Sequence, residues 1–191
     1  MTTEVIGLPT DIPAFTGIRI AYLCKRIKDG DCGGFSYLQG IRRTLKLICD
    51  DPENSFAAQG YRVNLPSYVK RLTQLLVSSV DAVVSPPSRY PEQAAPYREA
   101  AKAKFSIALD LTDAFSRSKL VLASEGAELS EIIQGLCYVS NGVESAISSL
   151  LIVEDVFSRG RTSAALLVHL RSAGLPPSCE VQVACPLWIP Q

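Results

Sequence analysis

Residues 150–162, LLIVEDVFSRGRT, constrain the fold more than any other stretch of this chain. Four apolar residues, Leu150 to Val153, run without alternation into two acids, Glu154 and Asp155. Val156-Phe157 and Ser158-Arg159-Gly160-Arg161-Thr162 follow, and then an apolar segment of helical character. A short unbroken apolar run closed by a turn suits a strand buried on both faces, as in a parallel sheet. Such sheets collect their ligands at the carboxyl ends of strands. Both acids and the glycine-bearing loop are expected at that edge, with the loop feeding a helix amino terminus. That terminus offers unpaired N–H groups and the positive end of the helix dipole, which suits a phosphate. Carboxylates accept hydrogen bonds and ligate hard cations, so the acids suit vicinal hydroxyls or a hydrated Mg²⁺. A diol site beside a phosphate site describes a ribose 5-phosphate.

The rest of the chain agrees with that frame. From residue 67 the expected order is helix, strand, helix, strand, variable loop, helix, strand, helix, strand, which argues for an α/β fold: a mainly parallel central sheet flanked by helices. Val69, Leu72, Leu75, Leu76 and Val80 mark the first helix, opened at Pro66-Ser67, and Asp81 to Val84 a short strand. Tyr90 to Phe105 is Ala-rich, with Pro91 and Pro96 confining regular helix to its latter half. Strands are expected at Ser106–Leu111 and Glu180–Ala184, and helices at Glu128–Tyr138 and Thr162–Ala173, the last closed by Gly174 and Pro176. Val143–Ser149 reads as a short helical link, and residues 112–130 fit no single pattern. Upstream, residues 1–16 read as irregular, Ile18–Lys25 as a strand and Asp50–Gly60 as a loop. Tyr37, Leu38, Ile41, Leu45 and Ile48 recur at helical spacing, with Arg42, Arg43 and Lys46 on a solvated face. The expected division is an N-terminal extension, 1–66, and a core, 67–191.

Several function classes are excluded. Nineteen basic and nineteen acidic side chains give a formal net charge of +0, without the basic excess of a general nucleic-acid binder. No apolar run reaches the roughly 20 residues of a membrane span, and the amino terminus lacks the layout of a secretion signal, so a cytoplasmic protein with no membrane partner is expected. Six cysteines, none in C-x-x-C spacing, read as free thiols, with Cys179 and Cys185 as small core residues. The single histidine, His169, lies inside the last helix and reads as a structural or surface residue; nothing local supplies the partners of a nucleophilic triad. Neither G-x-G-x-x-G nor a P-loop lysine motif is present.

At residues 150–162 the sequence resembles the type I phosphoribosyltransferases, whose PRPP-binding motif is four hydrophobics, two acids, two more hydrophobics and a Thr/Ser-rich loop with glycine. Arg159 and Arg161 depart from it, standing where many members have Thr and Gly, although either guanidinium suits a phosphate. The resemblance covers about residues 67–185 and implies transfer of a 5-phosphoribosyl group from PRPP to a small-molecule acceptor, with release of pyrophosphate. It gives Glu154 and Asp155 the catalytic part of holding the ribose hydroxyls, with Asp155 near Mg²⁺ carried by PRPP. It gives the 5-phosphate to Ser158, Arg159, Gly160, Arg161 and Thr162. The strand and loop ending Ser85-Pro86-Pro87-Ser88-Arg89 look like the family's pyrophosphate loop, as in the competence-type branch, through Ser88 and Arg89. Arg117 and Lys119 stand where family members carry a basic hood loop, and residues 1–66 stand where a hood selecting the acceptor would lie. Ser158 replaces the acid that oxopurine salvage enzymes use on the base, and this argues against an oxopurine acceptor. The resemblance is compatible with a homodimer, and equally with a non-catalytic PRPP- or nucleotide-binding regulator on the same fold.

Overall fold

The computed structural model of the chain describes residues 2–6, 18–25, 56–76, 79–88, 91–118 and 127–188. Its centre is the strand that the apolar run predicts, β7 (Ser149–Val153), all five residues of which are buried. Beside it lie β9 (Glu180–Trp188) on one flank and β3 (Ala82–Val84) on the other, both parallel to it. β4 (Leu109–Asp110) extends the sheet beyond β3, and β2 (Ile18–Lys25) and β1 (Thr2–Ile6) extend it beyond β9. The order is β1-β2-β9-β7-β3-β4, parallel throughout except for the antiparallel pair β1–β2. β8 (Val156–Phe157) also pairs with β9. The mixed α/β class with a mainly parallel, helix-flanked sheet is therefore the fold of this protein.

Alternation in β7 divides the core. Leu150 and Ile152 join one cluster with α4 (Arg161–Ser172) and α3 (Leu129–Gly135). Leu151 and Val153 join another with α1 (Phe56–Leu75) and α2 (Ala95–Phe105). Ala164 to Leu167 and Leu170 of α4 are fully buried against the first face; Tyr68, Leu72, Tyr97 and Ala101 cover the second. Gly174 (φ 109°) ends α4 as expected: Leu175 N–H returns to Leu170 O (2.9 Å) and Gly174 N–H to Arg171 O (3.0 Å).

The connections reverse direction at the centre. From β3 the chain crosses through α2 to β4 on one side; from β7 it crosses through α4 to β9 on the other. Right-handed crossovers in opposite directions must use opposite faces, as these helices do. The carboxyl ends of β3 and β7 therefore border a crevice, the place where open α/β sheets hold ligands. Because α1 and α2 lead into the amino ends of β3 and β4, their first turns stand at this same carboxyl edge.

Several expectations need correction. Residues 2–6, read as irregular, form β1, whose β-branched Thr, Val and Ile suit a strand. The loop expected over 50–60 ends by Phe56, where α1 begins, and the helix runs through Pro66 instead of opening there. A proline costs the helix one N–H and crowds the carbonyl four residues back, here that of Arg62; two residues before it, Asn64 Nδ2 donates to Gly60 O (2.7 Å). The boundary expected between residues 66 and 67 thus falls inside α1, and β1 and β2 belong to the central sheet. β4 is shorter than Ser106–Leu111 because Ser106 is the left-handed cap of α2 (φ 53°). Leu136–Tyr138, read as helix, is strand β6, paired antiparallel with β5 (Phe115–Arg117). The helix expected over 37–48 lies outside the described residues.

Candidate functional site

Glu154 is still held in the sheet by its main chain, its N–H bonding Ala184 O at 2.9 Å. Its side chain turns to the α4 face. There the carboxylate accepts the Ser163 hydroxyl and the Ser163 N–H at the third position of the helix. α4 begins at Gly160 in the left-handed region (φ 70°) with no side-chain cap of its own, so Glu154 caps it from the neighbouring strand. Only 8% of Glu154 is exposed. Burial pushes its carboxyl up to about 7, the Asp155 charge adds to this, and the Ser163 bonds and Arg117 oppose it.

Asp155 behaves differently. It is half-buried, and its Oδ1 accepts the N–H of Val156 at 2.7 Å. Its carboxyl is also raised, first by burial, with main-chain bonds and the Arg117 charge opposing and Glu92 adding. The register carries β7 and β8 along β9 without a shift, Val153 facing Ala184 and Val156 facing Leu187. Asp155 therefore stands opposite Pro186. Proline has no N–H to give a ladder, so the sheet opens where Asp155 leaves it. Side-chain alternation slips at the same place: Val183 and Cys185 face the first cluster, whereas Leu187 faces the second and Trp188 returns to the first. Pro186 is a site residue that sequence reasoning missed, although a proline inside an apolar strand was the available signal.

Arg117, on β5, is half-buried close to both acids; burial lowers its pKa while Glu154 and Asp155 raise it. In the loop over 158–162, Ser158 and Thr162 are half-buried, Gly160 is buried and Arg159 is exposed. Arg161, expected at the phosphate, is instead directed to the start of α3: it donates to Ala127 O (2.5 Å) and pairs with Glu128 (3.5 Å). A guanidinium with two such partners holds α3 against α4, and that is its place in this fold. At the end of β3, Ser85 N–H donates to Thr112 Oγ1 (3.0 Å). Ser85 is only 4% exposed, and its own Oγ has no partner among the described residues. Ser88 is half-buried three residues on, whereas Arg89 and Lys119 lie outside the described residues. Ser163 and Ser85 were also missed; a hydroxyl in the first turn of the helix after the acids was the signal for the first.

Away from the crevice, His169 Nε2 bonds Ile133 O (3.1 Å) and its ring meets Phe115 edge-on at 6.4 Å, a tie between α4 and its neighbours. Cys179 and Cys185 are buried thiols, each raised by burial.

What fold and site define is a doubly wound α/β protein with two acids and a helix amino terminus meeting at its switch point. Compared with protein-family models and with curated proteins, the sequence finds no match. Among the described residues no group of three or more His, Cys, Asp or Glu is placed to hold a metal ion, and no helix is long and apolar enough to cross a membrane.

Proposed function

We propose that the chain is a phosphoribosyltransferase, binding PRPP in the crevice between β3 and β7 and passing its 5-phosphoribosyl group to a small acceptor other than an oxopurine. The observation that carries this reading is the convergence, at one switch point, of Asp155, the carboxylate-capped start of α4 and the buried Ser85 hydroxyl, which has no partner among the described residues. Asp155 accepts from the ribose hydroxyls. The N–H groups of Gly160, Arg161 and Thr162, which an α-helix leaves without intrahelical partners, meet the 5-phosphate with the hydroxyls of Ser158 and Thr162. Ser85 and Ser88 face the diphosphate, and Arg117 offsets its charge.

A single half-buried carboxylate suits Mg²⁺ that arrives on the diphosphate, since this ion takes one or two protein carboxylates plus substrate oxygens. When bound, it neutralises the leaving group. In the transfer, the C1–O bond to diphosphate breaks and pyrophosphate leaves with the electron pair. The acceptor's lone pair forms the new bond to C1, and its proton passes to solvent. Positioning and electrostatics supply the acceleration.

A second reading, a PRPP- or nucleotide-binding regulator without turnover, draws on Glu154, whose carboxylate is engaged with Ser163. Calorimetry with PRPP and Mg²⁺, followed by a pyrophosphate-release assay over a panel of acceptors, separates them. Binding with release supports transfer, binding with no release from any acceptor supports the regulator, and no binding removes both.

A further inference from the structure

We propose that Tyr61 is a further ligand-contacting residue of this site, donating its phenolic O–H to the ribose hydroxyl whose proton Asp155 accepts. The inference rests on the PRPP reading and deepens it.

Tyr61 lies in the first turns of α1 and Tyr97 in the first turns of α2, both at the carboxyl edge of the sheet. Their hydroxyls are 3.0 Å apart. Tyr61 packs on the same core cluster as Val156, the residue after Asp155, and its ring meets that of Tyr68, two helical turns on, at 5.9 Å. The Tyr61 hydroxyl lies within the field of the Asp155 carboxylate, which reinforces the upward shift that burial imposes on it.

Direction within the hydroxyl pair follows from burial. Tyr97 is 2% exposed, and among the described residues its hydroxyl meets one polar partner, Tyr61. If Tyr61 donated to Tyr97, the Tyr97 proton would be buried without an acceptor, the costlier of the two arrangements. Tyr97 therefore donates and Tyr61 accepts, which leaves the Tyr61 proton for a third group. Tyr61 is half-buried, unlike Tyr97, and stands at the carboxyl edge that borders the crevice.

A ribose hydroxyl has one proton to give and two lone pairs to fill. Asp155, an acceptor, satisfies only the proton. A donor on the other side completes the set, and Tyr61 supplies it.

The test is calorimetry of ribose 5-phosphate, and separately of PRPP with Mg²⁺, on the full chain carrying Tyr61→Phe, Tyr97→Phe or Asp155→Asn. Tyr61→Phe is expected to weaken both ligands by a similar factor of about 5–10, the loss of one neutral hydrogen bond. Tyr97→Phe leaves the Tyr61 donor in place and stays within about 2-fold of the parent. Equal losses in the two tyrosine variants would mark the pair as merely structural and overturn the proposal. An unchanged Tyr61→Phe beside a weakened Asp155→Asn would overturn it while sparing the PRPP reading. If neither ligand binds the parent chain, or Asp155→Asn changes nothing, the site assignment itself falls.

Discussion

The two edges of this sheet treat aspartate in opposite ways. At the amino edge, Asp81 precedes β3 and clasps the start of β7: one carboxylate oxygen accepts Ser148 N–H (2.9 Å), Ser148 Oγ (2.5 Å) and Ser149 N–H (2.9 Å). The Ser148 bonds hold its carboxyl below the usual range, and little is lost to desolvation because the residue is exposed. At the carboxyl edge, burial raises both Glu154 and Asp155, although Arg117 stands near them. Asp81 is more acidic folded than free, so the fold gains from its charge. Glu154 and Asp155 are less acidic folded than free, so their charges are carried at a cost. Acids held against the preference of the fold mark functional positions more often than acids the fold exploits.

The sharpest way to break this contrast is to neutralise one carboxyl-edge acid. Asp155→Asn is expected to weaken PRPP–Mg²⁺ binding by about 10–100-fold, the size of lost hydrogen bonds to a charged group, while the melting temperature at pH 7 does not fall. A variant that binds normally, or melts markedly lower, would place Asp155 with Asp81 as a structural residue. The converse substitution, Asp81→Ala, is expected to lower stability by about 1 kcal/mol, screening by solvent having reduced three charge-assisted bonds. That corresponds to a fall of about 2–4 °C in a chain of this size, with ligand affinity unchanged. Thermal melts with and without PRPP read both quantities.

Much of the carboxyl edge was legible because its causes are local. Leu150–Val153 could be apolar throughout only if buried on both faces, and Glu154 could follow only at an end. Gly160 and Gly174 bracket α4 because each adopts a positive φ. The departures arise where tertiary structure outvotes a local rule. Pro66 reads as a helix start, yet α1 passes through it. The strand expected over Glu180–Ala184 runs on through Pro186 to Trp188, because the missing N–H falls opposite Asp155, where β7 has ended. Arg161 has the charge for a phosphate, but only the packed structure reveals Glu128 beside it. The Tyr61–Tyr97 pair joins residues 36 apart, and no periodicity within either helix could announce it.

The last expected effect tests the contrast through pH. Asp81 is depressed below its ordinary 3.8, so its contribution is complete above that value and is lost as pH falls through its folded pKa. Glu154 is raised from 4.5 to about 7, so its neutral form fits the fold better than its anion does. The stability it confers is complete below pH 4.5 and drains away as the pH climbs to about 7, after which it changes no further. Asp155 pulls in the same direction. Glu154→Gln keeps an acceptor for the Ser163 hydroxyl and N–H but cannot ionise. The variant is therefore expected to match the parent near pH 4.5 and to melt a few degrees higher at pH 8, at about 2–4 °C per kcal/mol. Melting curves at both pH values decide the matter. Parallel curves at the two would mean that Glu154 does not carry a disfavoured charge, and the distinction between the two edges would then rest on Asp155 alone.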